Sequence, residues 1–487
     1  MGTLTCGRRD PAAGIKMGES SMKREVSFKY IMVLAWPAIC EQLLLTMANY
    51  VDTAMIGALG RQATAAVAVN ASTTWLLMGL LAAISVGYSV QVAHSLGAED
   101  LSHAQAISRQ SLTGAVAFGG ILTVIVLLLS PQIPVWLGAD QAILKDARSY
   151  LFFYSLGLPF QSLLNVFSAI LRCAGDTRTP MCVNAGSNLI NVLLNYLLIF
   201  EPKTVSVFGF EIYVWGAGWG VAGAAAATAL SYGIAAMILL WVMFFRASPV
   251  QLTLHGSYMP NTAVLRRMLR LGIPVALERA TISLGQLVMT GLVTSLGNVA
   301  LSANHVAVTA EGISYLPANG IAFAATTLVG QSVGARQEEQ AKSYARMFGM
   351  LGFLAGIFGG LILFIPAVQL AGIFSPDQQV VQLAAYMLRI VAVSEPMFSL
   401  TIVLSGVLRG AGNTKAAFWS VAIGMWCVRV TAALFFLHIL HLELVGIWLA
   451  MVADLIMRGV LSMYWVKHLD WMKICGGIPH EAKKENQ

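Results

Sequence analysis

Twelve long apolar stretches, separated by short polar connections, account for most of the chain. They fall at about 31–57, 64–94, 112–130, 150–171, 182–201, 217–245, 269–295, 301–331, 345–366, 384–408, 417–440 and 444–467. At ~1.5 Å rise per residue, about 20 residues cross the hydrocarbon layer of a bilayer, so the pattern predicts twelve membrane-spanning helices with both termini on one side. Polar positions inside these stretches are few and periodic. Glu41 and Asp52 in the first lie eleven positions apart, close to three turns, on one face and roughly 16 Å apart along the axis. In the fifth, Asn184, Asn188, Asn191 and Asn195 are spaced four, three and four, which is one helical stripe. An ionisable group at membrane depth costs several kcal/mol and normally faces a bundle interior or a cavity, so two acids on one face read as part of a site. The amides can donate to carboxylates or coordinate a cation through their carbonyl oxygens. The competing reading for them is interhelical contact, roughly 0.6 kcal/mol each.

The two halves of the chain repeat each other at an offset of 237. Pro37 matches Pro274, Glu41 matches Glu278, Gly60 matches Gly297, Gly97 matches Gly334, Arg109 matches Arg346 and Pro159 matches Pro396. The most specific match is LRCAGDT (171–177) against LRGAGNT (408–414). The last spans align at an offset of 226, so the loop before the sixth span is about eleven residues longer than its counterpart. The expected organisation is a leader (1–30), a six-helix lobe (31–245), an inter-lobe loop (246–268), a second six-helix lobe (269–467) and a tail (468–487). Two lobes with the same starting side are parallel repeats, related by an axis along the membrane normal. Secondary transporters are built this way, with a cavity between lobes that rock for alternating access. Duplication also builds channels and membrane enzymes.

The C-terminal half departs from the first. Its eleventh span carries Arg429 in place of an Asn stripe, and its acids are Glu278, Glu311, Glu395 and Asp454. Asp454 and Arg458 are one turn apart and can neutralise each other. Arg279 adjoins Glu278 in sequence but diverges from it on the helix, so it requires another acid, Glu311 and Glu395 being candidates. Glu278, Asn188, Glu311 and Asp454 are the expected substrate-cavity contacts.

Composition agrees: 57% of residues are hydrophobic, only 11% are charged and mean hydropathy is +0.73. A soluble chain carries about 25% charged residues. The net charge of +7 is a matter of topology and not of nucleic-acid binding, because 22 of the 30 Lys and Arg fall on the side that holds both termini. Five fall opposite, and Arg279, Arg429 and Arg458 lie within spans. The positive-inside rule then makes both termini cytoplasmic, in the cell (inner) membrane. Residues 1–28 form a polar leader with no regular structure expected, and Met17 or Met22 could be the start. Six scattered cysteines without a C-x-x-C pair argue against a disulfide framework or a zinc site. No Gly-Lys dipeptide occurs, which excludes a Walker A loop. Gly330-Gln331-Ser332-Val333-Gly334 matches G-x-S-x-G, yet it ends an apolar helix and not a strand, so it is no nucleophile elbow. Twenty-two methionines, with aromatics such as Trp75, Tyr88, Tyr315 and Phe323, suit a pliable apolar chamber.

Three segments point to a family. VDTAMIGALG (51–60), ATTLVGQSVGA (325–335) and the LRCAGDT/LRGAGNT pair resemble segments of the multidrug and toxic compound extrusion (MATE) transporters, and the resemblance extends over about 30–467. It implies antiport of cytoplasmic cationic, amphipathic or aromatic compounds against H+ or Na+, with no cofactor, no enzymatic activity and a monomer in contact with membrane lipids. WPAICEQ and IPVALER look closer to the prokaryotic DinF-like branch. The other branches place a seventh-span acid where this chain has Ile282 and a tenth-span acid near Phe398, so their cation site has no support here. In the DinF-like branch the N-terminal lobe holds the coupling site. By motif, Asp52, Asn191 and Thr228 take its ligand positions, with Asp52 and Asn191 the metal ligands if Na+ is the coupling ion. Asn195 stands where that branch often has aspartate, and Glu41 is the remaining coupling candidate. Rival readings are a flippase for lipid-linked intermediates, which shares the broader superfamily's fold, and a passive channel.

Overall fold

A computed structural model describes residues 28–207, 210–253 and 256–476. The leader up to residue 27 and the tail from residue 477 lie outside these. Twelve helical segments run in order among the described residues, and ten of them, each of two bent pairs taken as one, are long and apolar enough to cross a membrane. The first six are Phe28–Gly57, Arg61–Gly97, Leu101–Leu129, the bent pair Gln141–Leu156 with Leu158–Cys173, Arg178–Ile199 and Val221–Phe245. The second six are Thr262–Thr294, Asn298–Glu311 with Leu316–Gly334, Glu338–Phe364, the bent pair Gln378–Ala392 with Glu395–Gly410, Thr414–His438 and Glu443–Lys467.

The bends repeat as the sequence does. The fourth span turns by 47° just before Pro159 and the tenth by 60° just before Pro396. Proline cannot supply the backbone N–H that a continuous helix needs at that point. The eighth span, expected as one helix over 301–331, is broken by a turn at 312–315, and Pro317 opens its second piece. The eleven-residue excess before the sixth span is an antiparallel hairpin, β1 (Lys203–Val207) and β2 (Phe210–Val214). The inter-lobe loop is strapped to the third span: Thr113 Oγ1 donates to the Tyr258 carbonyl (2.8 Å) and the Asn261 N–H donates to Gln110 Oε1 (3.0 Å).

The lobes meet at the end of the molecule where the chain begins. Glycines make this approach possible: a Cβ on Gly97 would collide with the Gln331 carbonyl, and one on Gly334 with the His94 carbonyl. Gly330 likewise packs on Ala93 and Gly320 on Ile39. Several hydrogen bonds cross here, among them Arg267 to His94, Gln91 to the Val264 carbonyl and Thr327 to the Arg172 carbonyl. His94 Nε2 bonds the Gly410 carbonyl at 2.8 Å, and Gln331 Nε2 donates to the Cys173 carbonyl at 2.8 Å. At the opposite end the lobes diverge. The first span buries Ile31, Leu34, Ala35, Pro37, Ala38, Ile39 and Glu41 in its initial half, then nothing until Ile56. A helix that buries no residue over four turns borders an open cleft as well as lipid. Among the described residues, the one hydrogen bond from this stretch to the other lobe is Tyr50 Oη to the Thr309 carbonyl, long at 3.5 Å.

Candidate functional site

The first and fifth spans lie side by side in a register of 143 residues, which sets two polar clusters along one seam. Nearer the closed end, Asn184 Nδ2 donates to Glu41 Oε1 (2.7 Å). Eleven residues further along both helices, Asn195 Nδ2 donates to Asp52 Oδ1 (2.6 Å). Two amides of the Asn stripe, Asn184 and Asn195, thus each meet an acid of the first span.

Asp52, Asn191, Asn195 and Thr228 come together in the open half. Asp52 is half-buried, and Asn191 and Asn195 are buried. The Asn191 amide fits either way round, and only the turned-over placement satisfies both of its atoms. In the other placement it donates to Thr228 Oγ1 (3.3 Å) and accepts from Asn195 (3.1 Å). Turned over, it donates to Asp52 Oδ1 (2.8 Å) and accepts from the Thr228 hydroxyl. Asn195 Oδ1 is buried with no donor. The cluster therefore offers one carboxylate and uncharged oxygens from amides and a hydroxyl, a donor set that suits a proton on Asp52 or a small hard cation. Tyr150 and Tyr232 are its electrostatic neighbours. No apolar periodicity marks these two rings as site residues in the sequence.

Glu41 belongs to a different arrangement. Arg172 Nη1 bonds both of its carboxylate oxygens, at 2.9 and 3.0 Å, and the Arg172 guanidinium also sits 4.5 Å from the centre of the Phe323 ring in the other lobe. The second lobe repeats the pair: Arg409 Nη2 to Glu278 Oε1, 2.7 Å. Both pairs span 131 residues. Glu278 has no equivalent of Asn184, since Val421 stands there, and its Oε2 is left without a partner. Sequence reasoning had marked both LRxAGxT motifs as repeat signatures without seeing that their arginines meet the acids. The signal was the equal spacing of acid and arginine in the two halves. Asn188 lies between the Glu41 and Asp52 clusters with its Nδ2 unpartnered.

The remaining acids sit in the C-terminal lobe. Asp454, fully buried, is gripped by Arg429 Nε (2.7 Å) and by Arg458 Nε and Nη2 (2.6 and 2.7 Å). Arg429 lies in a π-helical segment, Ile423–Val430, which reshapes the eleventh span. Gly424 in that segment leaves the space that Asp454 and Arg458 fill. Glu311 and Glu395 are buried neighbours. Both oxygens of Glu395 are buried without a well-formed hydrogen bond, and the neighbouring Ser314 hydroxyl donates to the Glu311 carbonyl (2.8 Å). Arg279 pairs with neither of them.

The chain is similar to known proteins in sequence and in fold. The MatE family model matches residues 37–197 and 274–435, one segment per lobe. A "Probable multidrug resistance protein NorM" of Thermotoga maritima is 31% identical over 445 residues, covering 91% of this chain and 93% of its own length. The "Uncharacterized transporter YisQ" of Bacillus subtilis is 27% identical, over 89% and 94%. Among solved structures, "Crystal structure of MATE in complex with MaL6" superposes with a TM-score of 0.83 at 22% identity, covering 92% of this chain and 96% of that one.

Proposed function

This chain belongs to the MatE family of membrane transporters, and we propose that it is a secondary antiporter that expels cationic or amphipathic organic compounds in exchange for H+ or Na+. The termini lie in the cytoplasm, by the excess of Lys and Arg on that side, so the lobes are closed toward the cytoplasm and open outward. The observation that carries the reading is the Asp52 cluster. A single carboxylate, held by Asn195 and flanked by Asn191 and Thr228, lines the open half of the first span.

The coupling follows from electrostatics. With Asp52 charged, the cluster attracts a cation from outside or a cationic substrate from the cleft, and the two compete for one carboxylate. Binding a proton or Na+ at Asp52 removes the attraction for the substrate, which leaves outward. The ion-bound lobe then closes on the outer side and opens to the cytoplasm, where the ion is lost and substrate is loaded. Alternating access needs two states that differ in affinity for each ligand, and the glycine-lined contacts between the second and eighth spans are the interface that must part.

Purified protein in liposomes, with a Na+ gradient and a proton gradient imposed separately, tests the reading. Uphill movement of a fluorescent cationic dye under one gradient is the expected result and identifies the ion. Movement that only ever follows the dye's own gradient would make the protein a passive channel.

A further inference from the structure

The seventh, eighth, eleventh and twelfth spans enclose a small cavity within the C-terminal lobe. Its volume is about 30 Å³, room for two waters or one small ion. Gln286 and Thr290 of the seventh span, Asn304 of the eighth and Arg429 of the eleventh line it, with Trp448 beside Asn304. The rest of the wall is methionine, valine and isoleucine, and no carboxylate belongs to it. Arg429 is only 4% exposed and uses its Nε on Asp454 Oδ2. Among the described residues its two Nη groups make no hydrogen bond. The Asn304 amide has its direction set by a neighbour: Trp448 Nε1, which can only donate, meets Oδ1 at 3.1 Å. The free end of that amide is therefore a donor, Nδ2. Among the described residues the Gln286 amide and the Thr290 hydroxyl have no partner either.

Charge points the same way. Asp454 is shared by Arg429 and Arg458, so the buried triad carries one net positive charge. Glu311, the other acid in the field of Arg429, forms no ion pair with it and does not line the cavity. The repeat places this cavity opposite the Asp52 cluster. At the offset of 237, Met289 in the cavity wall stands where the first lobe has Asp52, and at 226 Asp454 stands where it has Thr228. The second lobe thus lacks the acid of the first at this position and carries two arginines beside it.

A buried charge left uncompensated is costly, and hydrogen bonds from a guanidinium to an anion are among the stronger ones. Donors converging from three spans on an apolar-walled space of this size favour an anion of one or a few atoms. We infer that the cavity binds a single inorganic monovalent anion, chloride, held by Arg429 Nη, Asn304 Nδ2 and Thr290 Oγ1, with Gln286 Nε2 beside them. The ion neutralises the excess charge of the triad and ties the seventh and eighth spans to the π-helical segment that bears Arg429. It is a resident of the C-terminal lobe, so the inference does not depend on the efflux reading.

The test is the thermal midpoint of the purified full-length protein while chloride replaces gluconate, an anion too large for the cavity, at constant sodium and ionic strength. Wild type is expected to gain stability with chloride in a saturable way, and bromide should substitute for chloride. Chlorine NMR reads binding directly: the protein should broaden the line of excess chloride, and saturating bromide should sharpen it again. Arg429→Gln also loosens Asp454, so the decisive variants lie elsewhere in the wall. Asn304→Asp keeps an oxygen for Trp448 but sets a carboxylate in the cavity, and it should abolish both the protection and the bromide-sensitive broadening. Thr290→Val removes one hydrogen bond to a charged partner and should raise the half-protecting chloride concentration about ten-fold. Equal wild-type midpoints in chloride and gluconate would mean that water fills the cavity, and overturn the inference. Chloride protection that persists unchanged in Asn304→Asp would place the ion elsewhere and overturn it as well. Neither result touches the efflux reading, which rests on Asp52 in the other lobe.

Discussion

His94 and Gln331 occupy the same position in the two repeats, and each holds the opposite lobe by the same kind of bond. His94 bonds the carbonyl of Gly410 and Gln331 that of Cys173, both at 2.8 Å, and those two carbonyls are themselves repeat partners. The Arg267 Nη2 donates to His94 Nδ1 (2.8 Å), which leaves the ring neutral with its proton on Nε2, aimed at Gly410. A contact duplicated with the fold closes the molecule at the end where the chain begins.

Removing one of these bonds is expected to favour separation at that end. A buried hydrogen bond contributes about 1 kcal/mol net, so His94→Ala or Gln331→Ala should shift the ratio of closed to open molecules roughly five-fold. His94→Gln places the partner repeat's own donor at that position and should restore the wild-type ratio. Distances between spin labels, one on each lobe at that end, report the populations. An unchanged distance distribution in His94→Ala would show that the bond does not hold the lobes.

The acid–arginine pairs make a stability prediction. Truncating one partner of a buried pair leaves the other charge uncompensated, at a cost of about 3–5 kcal/mol. Glu41→Gln strands Arg172 and should lower the thermal midpoint of the purified protein strongly. Glu278→Gln should cost less, because Glu278 accepts from Arg409 alone and already leaves Oε2 unpaired. The double substitution Glu41→Gln with Arg172→Gln should be milder than the sum of the singles, since it strands no charge. Additive losses would mean that the two side chains act independently.

Asn195 tests what the cluster can hold. Its Nδ2 lies 2.6 Å from Asp52 Oδ1. Asn195→Asp replaces that donor by a second carboxylate and should strengthen attraction for a cation. The concentration of NaCl that half-protects the protein against heat, measured against choline chloride, should fall about ten-fold, or ~1.4 kcal/mol. The same protection curve for wild type and Asn195→Asp would place the cation elsewhere.

Most of the fold was legible because membrane spans are long and apolar and because the second half repeats the first residue by residue. The fifth-span stripe was legible too, since 3.6-residue periodicity puts every fourth or third side chain on one face. What the sequence concealed was pairing. Glu41 and Asp52 look alike on one helix face, and only the packed fourth span, carrying Arg172, separates an acid already neutralised from one held by amides. The expected neutralisation of Asp454 by Arg458 appears, but Arg429 joins it through a π-helical segment that no composition signal announces. Glu311 and Glu395 were candidate partners for Arg279, and neither forms an ion pair with it. The break at 312–315 was missed because its flanks are as apolar as any span.

The experiment that bears hardest on the Asp52 reading is simultaneous recording of dye efflux and ion flux in liposomes holding wild type or Asp52→Asn. For wild type the account predicts that uphill dye movement stops when the ion gradient is dissipated, and that the ion moves in the opposite direction. For Asp52→Asn it predicts no uphill movement under either gradient, with the folded protein confirmed by its thermal midpoint. Full, gradient-dependent uphill efflux by Asp52→Asn would contradict the account, because the exchange would then run without the one carboxylate at which ion and substrate are held to compete.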